Sequence, residues 1–177
     1  KAPDMAARVA LMRMSAGSVA SFDRVCVLAA EHGLDATSAA GRYVGFLGDF
    51  DERTRPTDWA ERVLKTHLGL GLLGDFAAGL ADTLQEPLRA TLRAELADDC
   101  LTEFASSRIL PIVSADPQVG ARLSLWGRRV VGEEIGTLQR MLAAYPDILG
   151  ESTGAEVLHD VLSQGAVGRM KALGLRA

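Results

Sequence analysis

The sequence predicts an all-α protein, a bundle of antiparallel helices, and three observations carry that expectation. Apolar residues make up 48% of the 177 residues but aromatic ones only 5%, so the interior has to be built from Ala, Leu, Val and Met. Such side chains lose little rotamer freedom in a helix, and β-branched runs that would favour strands are lacking. Apolar residues recur at alternating intervals of four and three, the period of one helix face, and no segment shows the strict alternation of a strand. Pro, Gly and Asp fall between the periodic segments, where helices start and stop.

The first helix is expected over 4–32. Pro3-Asp4 opens it and Gly33 ends it. Met14, Ser18, Ser21, Val25 and Leu28 lie at intervals of four, three, four and three, which predicts that this face points inward. Gly41, Gly45 and Gly48, then the charged run 49–55, predict a crossing connection with a short helix near 36–47.

Thr57-Asp58-Trp59 starts the next helix, whose stripe through Trp59, Val63, Thr66, Leu70 and Leu73 runs on to Leu84. A second stripe, Leu64, Leu68, Leu72 and Phe76, makes this helix apolar nearly all round, so it should be central. Pro87 suits the first turn of a helix running to Leu110, with Pro111 as its stop. Asp116-Pro117 pairs an N-cap with Pro at the first helical position, and Tyr145-Pro146 closes that helix. A last helix is expected from Thr153 to Leu173, with Gly174 beyond its end. Length and continuity favour a single domain over 1–177.

Charge and composition exclude several classes. A net charge of −4 offers no general attraction to nucleic acid or anionic membrane, so no nucleic-acid partner is expected. No stretch of about 20 apolar residues could span a bilayer. With no legible signal peptide and two cysteines far apart, Cys26 and Cys100, the expectation is a cytoplasmic protein with free, buried thiols. A homodimer is the expected assembly. The chain gives no indication of a protein partner.

Few constellations could carry chemistry. Gly69-Leu70-Gly71-Leu72-Leu73-Gly74 matches GxGxxG, but a dinucleotide fingerprint needs a strand before it, and here the glycines fall inside a helix. They are read as sites of close helix approach. Glu156-Val157-Leu158-His159 has ExxH spacing, yet a bundle di-metal site needs two such pairs and two further carboxylates. Neither His32 nor His67 has a Glu three residues before it. Glu95, Asp98 and Thr102 share one helix face, beside Asp99 and Glu103. Glu133 can pair with Arg129 or Arg140 at helical spacing. Glu134 interrupts a stripe through Val131, Leu138 and Met141 and would need a partner or a shifted pKa if buried; a solvated face or an Arg pair is the favoured reading. No catalytic residue or nucleophile–base set is legible.

A series of short strings extends over nearly the whole chain. Phe22-Asp23-Arg24 precedes Gly33-Leu34-Asp35, and Glu52-Arg53-Thr54 precedes Pro56-Thr57-Asp58-Trp59. Asp75-Phe76, Glu103-Phe104, Ala115-Asp116-Pro117, Leu125-Trp126, Gly132-Glu133 and Arg169-Met170 follow in order. In order and spacing they resemble the actinobacterial ferritin-like proteins related to the tRNA hydroxylase of modified adenosine. The resemblance implies a ferritin-like bundle with extra C-terminal helices, its first helix upstream of Lys1. In the hydroxylase it implies a non-haem di-iron centre.

Where that family carries an ExxH pair before the Phe-acid-Arg string, this chain has Ser18 and Ser21. The later pair falls on Asp98 and Leu101, the acid of the Trp59 helix on Leu70, and a histidine near Ala166. Hydroxyls and Leu cannot replace the carboxylates and imidazoles that hold iron. The resemblance therefore implies a degenerate metal site, no cofactor, and a non-catalytic bundle acting as a binding or assembly module. The alternative is a di-iron oxygenase with ligands relocated to Asp98, Glu133 or Glu134.

Overall fold

The computed structural model describes residues 2–97, 100–149 and 154–177. None of these residues is in a strand. The chain divides into two compact units, 1–48 and 49–177.

The first unit holds α1 (Met5–Glu31) and α2 (Ala36–Gly41), which pack together. Asp4 caps α1 by accepting from the Ala7 N–H at 2.6 Å. Gly33, at φ +75°, takes the left-handed conformation that ends it. The expected inward face does not form a core. Met14, Ser21, Val25 and Leu28 are half-buried and Ser18 is exposed. The reason is size: α2 has six residues and cannot cover the 27 of α1.

In the second unit α3 (Gly48–Arg53) leads into α4 (Trp59–Ala81), capped by Asp58, whose carboxylate accepts from the Glu61 N–H at 2.8 Å. Helix α4 packs against α5 (Leu88–Leu96), α6 (Cys100–Ala115), α7 (Pro117–Ala144) and α8 (Ala155–Ala172), so its central place is as the sequence predicted. Of its two stripes the second is the core: Leu64, Leu68, Leu72 and Phe76 are buried, whereas Leu70 of the first is exposed. One apolar cluster gathers Leu64 and Leu68 with Ile109, Leu123, Val130 and Met170. A second gathers Leu72 and Phe76 with Leu138, Leu142, Leu158 and Leu162.

The helix expected from Pro87 to Leu110 is two, α5 and α6, and Pro111 lies inside α6 rather than ending it. A proline removes one helical hydrogen bond. The chain keeps its course through Ala115 because the Asp116 N–H still reaches the Ile112 carbonyl at 3.1 Å. The stop is Asp116, whose carboxylate caps α7 through Gln118 and Val119. A short 3-10 turn, Pro146–Ile148, follows α7, and Gly174 at φ +71° closes α8. Among the described residues no helix is long and apolar enough to cross a membrane. Neither cysteine is in a disulfide; Cys26 is half-buried and Cys100 exposed, so the expectation of buried thiols fails at Cys100.

Candidate functional site

A cleft of 450 Å³ runs along one side of α4, between it, α5, the start of α6 and α8. Leu70, Leu96 and Leu101 give it an apolar wall, with Ala78 and Ala97. His67, buried to 2% exposure, lines it from α4, and Thr102 from α6. Two ion pairs border it. Arg93 Nε and Nη2 donate to both carboxylate oxygens of Asp82 at 2.8 and 2.6 Å. Arg169 Nη1 and Nη2 donate to Asp75 at 2.6 and 2.7 Å, a half-buried bidentate pair joining α8 to α4.

The glycine string of α4 finds its explanation here. A Cβ on Gly71 would fall inside the Arg169 side chain, and one on Gly165 of α8 would strike the Asp75 carboxylate. These two glycines make the space in which the ion pair lies. Gly69 serves the opposite side of α4, where a Cβ would stand 3.2 Å from Glu134 Oε2. At Gly69 and Gly71 the close approach expected of the string is made by polar side chains, not by helix backbones, and at Gly74 nothing comes within 4 Å.

Glu134 lies on the inward face of α7 at 1% exposure, and its Oε2 makes no hydrogen bond. Burial pushes its pKa up to about 8, against the opposing pull of the Lys65 and Arg169 charges. The solvated or Arg-paired reading is thereby overturned: the position lies on the buried stripe of α7, beside Val130, Leu138 and Ile135. Its neighbour Glu133 points elsewhere and pairs with Arg53 Nε of α3 at 2.6 Å, not with Arg129 or Arg140. Arg129 donates to the Arg53 carbonyl and Arg140 to Thr137. A partner 80 residues away is invisible to helical spacing.

The remaining positions scatter. Ser18 Oγ donates to the Met14 carbonyl at 3.1 Å on exposed α1, and Ser21 is half-buried on the same helix. Leu70 and Leu101 both line the cleft. Ala166 is buried in the second apolar cluster. Asp98 and Asp99 lie outside the described residues. Glu156 and His159 are exposed beside a second groove formed with Leu142, Pro146 and Leu149, and His159 Nδ1 lies 3.1 Å from the Gln139 amide nitrogen. Among the described residues no three His, Cys, Asp or Glu side chains gather as a metal site. Sequence reasoning missed the Asp75–Arg169 pair. Its signal was present as Gly71 and Gly165, two small residues in apolar helices without a turn to explain them.

A family model described as ferritin-like domain, actinomycetes, matches residues 1–156, and the chain belongs to that family. The match ends at the start of α8, so Arg169 comes from beyond it. No curated protein matches the chain.

Proposed function

We propose that this ferritin-like bundle works without a di-iron centre, as a binding module whose ligand enters the cleft beside α4. The observation that carries the reading is that Leu70 and Leu101, two positions where the resemblance to the hydroxylases places metal ligands, line one 450 Å³ cleft. A cavity of this size with apolar walls and a few polar groups suits a small molecule. Thr102 and His67 offer hydrogen bonds there, and the two bordering arginines are already held by carboxylates. The favoured ligand is therefore an apolar or weakly polar molecule rather than a multiply charged one.

The donor set does not fit a relocated di-iron centre. Leu70, Leu101 and Ala166 have no donor atom, and Glu133 is turned to Arg53. Glu134 alone of the named acids faces the interior among the described residues. Such a centre draws on four carboxylates and two imidazoles. A symmetric homodimer belongs to the same reading.

Iron loading of the full-length protein followed by desalting and elemental analysis tests the first part. No stoichiometric iron is expected, and about two irons per chain would overturn the reading. For the second part, the fluorescence of 1-anilinonaphthalene-8-sulfonate should rise on binding the wild-type protein and not the Ala78→Trp variant, whose indole fills the cleft. Equal binding by both would remove the cleft from the proposal.

A further inference from the structure

Lys65 of α4 stands between two carboxylates. Its Nζ donates to Asp51 of α3 at 2.5 Å and lies 4.9 Å from the centre of the buried Phe50 ring. One turn further along the same face of α4 is Gly69, where a Cβ would stand 3.2 Å from Glu134 Oε2. Positions one turn apart on a helix are about 5–6 Å apart at Cβ, so the Glu134 carboxyl is within the sweep of the Lys65 stem. The two carboxylates differ in what they need. The Asp51 side chain is 75% exposed, and water solvates it with or without Lys65. Glu134 is 1% exposed, and its Oε2 makes no hydrogen bond.

Each element around Glu134 brings charge. From α4 comes Lys65, from α8 Arg169, and from α3 Asp49, Asp51 and Arg53; on α7 itself Glu133 is turned to Arg53. His67 faces the cleft on the other side of α4. Lys65 and Arg169 favour an ionised Glu134, and burial outweighs both, holding its pKa at about 8. Arg169 is not the one to move, because two of its nitrogens hold Asp75 in the space left by Gly71 and Gly165. Lys65 is held by one carboxylate that faces water, and such a pair is worth little. A buried carboxylate that ionises without a partner costs far more.

We propose that Lys65 is a two-position switch: as Glu134 loses its proton to solvent, the ammonium leaves Asp51 for Glu134 and releases that side of α3 from α4. Below the transition Glu134 is a neutral acid and Lys65 joins α4 to α3. Above it the ion pair lies inside the α4–α7 interface. Helix α3 then stays tied on the α7 side, where Arg53 reaches Glu133 at 2.6 Å and Thr137 at 3.4 Å. The switch is independent of any ligand in the cleft.

NMR of the carboxyl carbons of the full chain, from about pH 6 to about pH 10, reads both positions. The Glu134 carboxyl is expected to titrate near 8, and the Asp51 carboxyl to change shift at the same midpoint. Over that step the hydrogen-exchange protection of the Thr54 amide, which donates to the Phe50 carbonyl at 3.0 Å, should fall several-fold. Lys65→Met, which keeps an apolar stem against Phe50, should raise the Glu134 midpoint by about one unit and abolish the Asp51 step. Asp51→Asn should lower the midpoint, since Lys65 then has one carboxylate to serve. Glu134→Gln should leave the Asp51 signal flat throughout. A lysine acting only as a fixed charge would also raise the midpoint when removed, but without an Asp51 step or a Thr54 change in the wild type, and that result overturns the switch. A Glu134 midpoint in the ordinary carboxylate range, or one that Asp51→Asn leaves unmoved, overturns it as well. If Lys65→Met does not fold, Asp51→Asn and Glu134→Gln decide the question.

Discussion

Glu61 sits in the first turn of α4 and Glu134 in the middle of α7, and each has less than a tenth of its surface exposed. Glu61 is surrounded by donors. Its Oε2 accepts from the Thr57 N–H and hydroxyl at 2.8 and 2.7 Å, and its Oε1 from Arg122, which also holds Asp58. Trp126 Nε1 donates to its carbonyl at 3.2 Å. Glu134 has no such shell, and burial answers with a pKa pushed up to about 8. The difference teaches that position within the helix decides the outcome. At the start of α4 the incoming chain brings the Thr57 N–H and hydroxyl to Glu61, and α7 adds Arg122, whereas the middle of a helix has no unpaired N–H to offer Glu134. Glu61 is therefore part of the scaffold, and Glu134 is a proton-carrying group inside an apolar interface.

The sharpest way to break this contrast is a pH series. Glu134 titrates near 4.5 when exposed and near 8 when folded, so between those values the folded state holds a proton that the unfolded state has lost. Stability should therefore fall as pH rises through that window, by up to about 1.4 kcal/mol per unit and on the order of 5 kcal/mol in all, levelling above the folded value. Glu134→Gln should remove this slope and raise the melting temperature at pH 8 relative to the wild type. Parallel denaturant curves for the two proteins from pH 5 to 9 would sink the assignment.

Glu61→Ala should cost about 2 kcal/mol at neutral pH, because it strands the Thr57 N–H and leaves Arg122 with Asp58 alone. If chemical denaturation finds less than about 1 kcal/mol, Glu61 is no more a scaffold residue than an exposed ion pair is. Asp75→Asn, which leaves the half-buried Arg169 with a neutral partner, should cost about 1–2 kcal/mol in the same measurement. The smallest effect belongs to α1: Ser18→Ala is expected to shift stability by less than about 0.5 kcal/mol, and a larger loss would place that serine in a packed face after all.

The contrast was half legible in the sequence. Caps at Asp4, Asp58 and Asp116, and the all-round apolar character of α4, identified the helices that now frame the clusters. The Glu134 interruption of the α7 stripe was visible too, because periodicity marks the apolar face, but its burial was not read from it. Partners could not be read from local spacing: Arg53 meets Glu133 and Arg169 meets Asp75 across 80 and 94 residues, and only Gly71 and Gly165 hint at the second pair. Pro111 misled for a related reason, since a proline weakens a helix locally while the contacts that continue it are made elsewhere. The face of α1 through Ser18 was misjudged because a four-three rhythm marks an apolar side without saying what lies over it.

The notch formed by Gly71 and Gly165 around the Arg169–Asp75 pair also governs motion. A guanidinium seated between two residues without side chains works as a dowel. A slide of α8 along α4 would carry the Arg169 guanidinium out of the space left by Gly71 and Gly165 and away from Asp75. The pair therefore resists sliding of these two helices past each other. Any widening or narrowing of the cleft must therefore come from α5 and the start of α6, with the α4–α8 pair as its fixed wall.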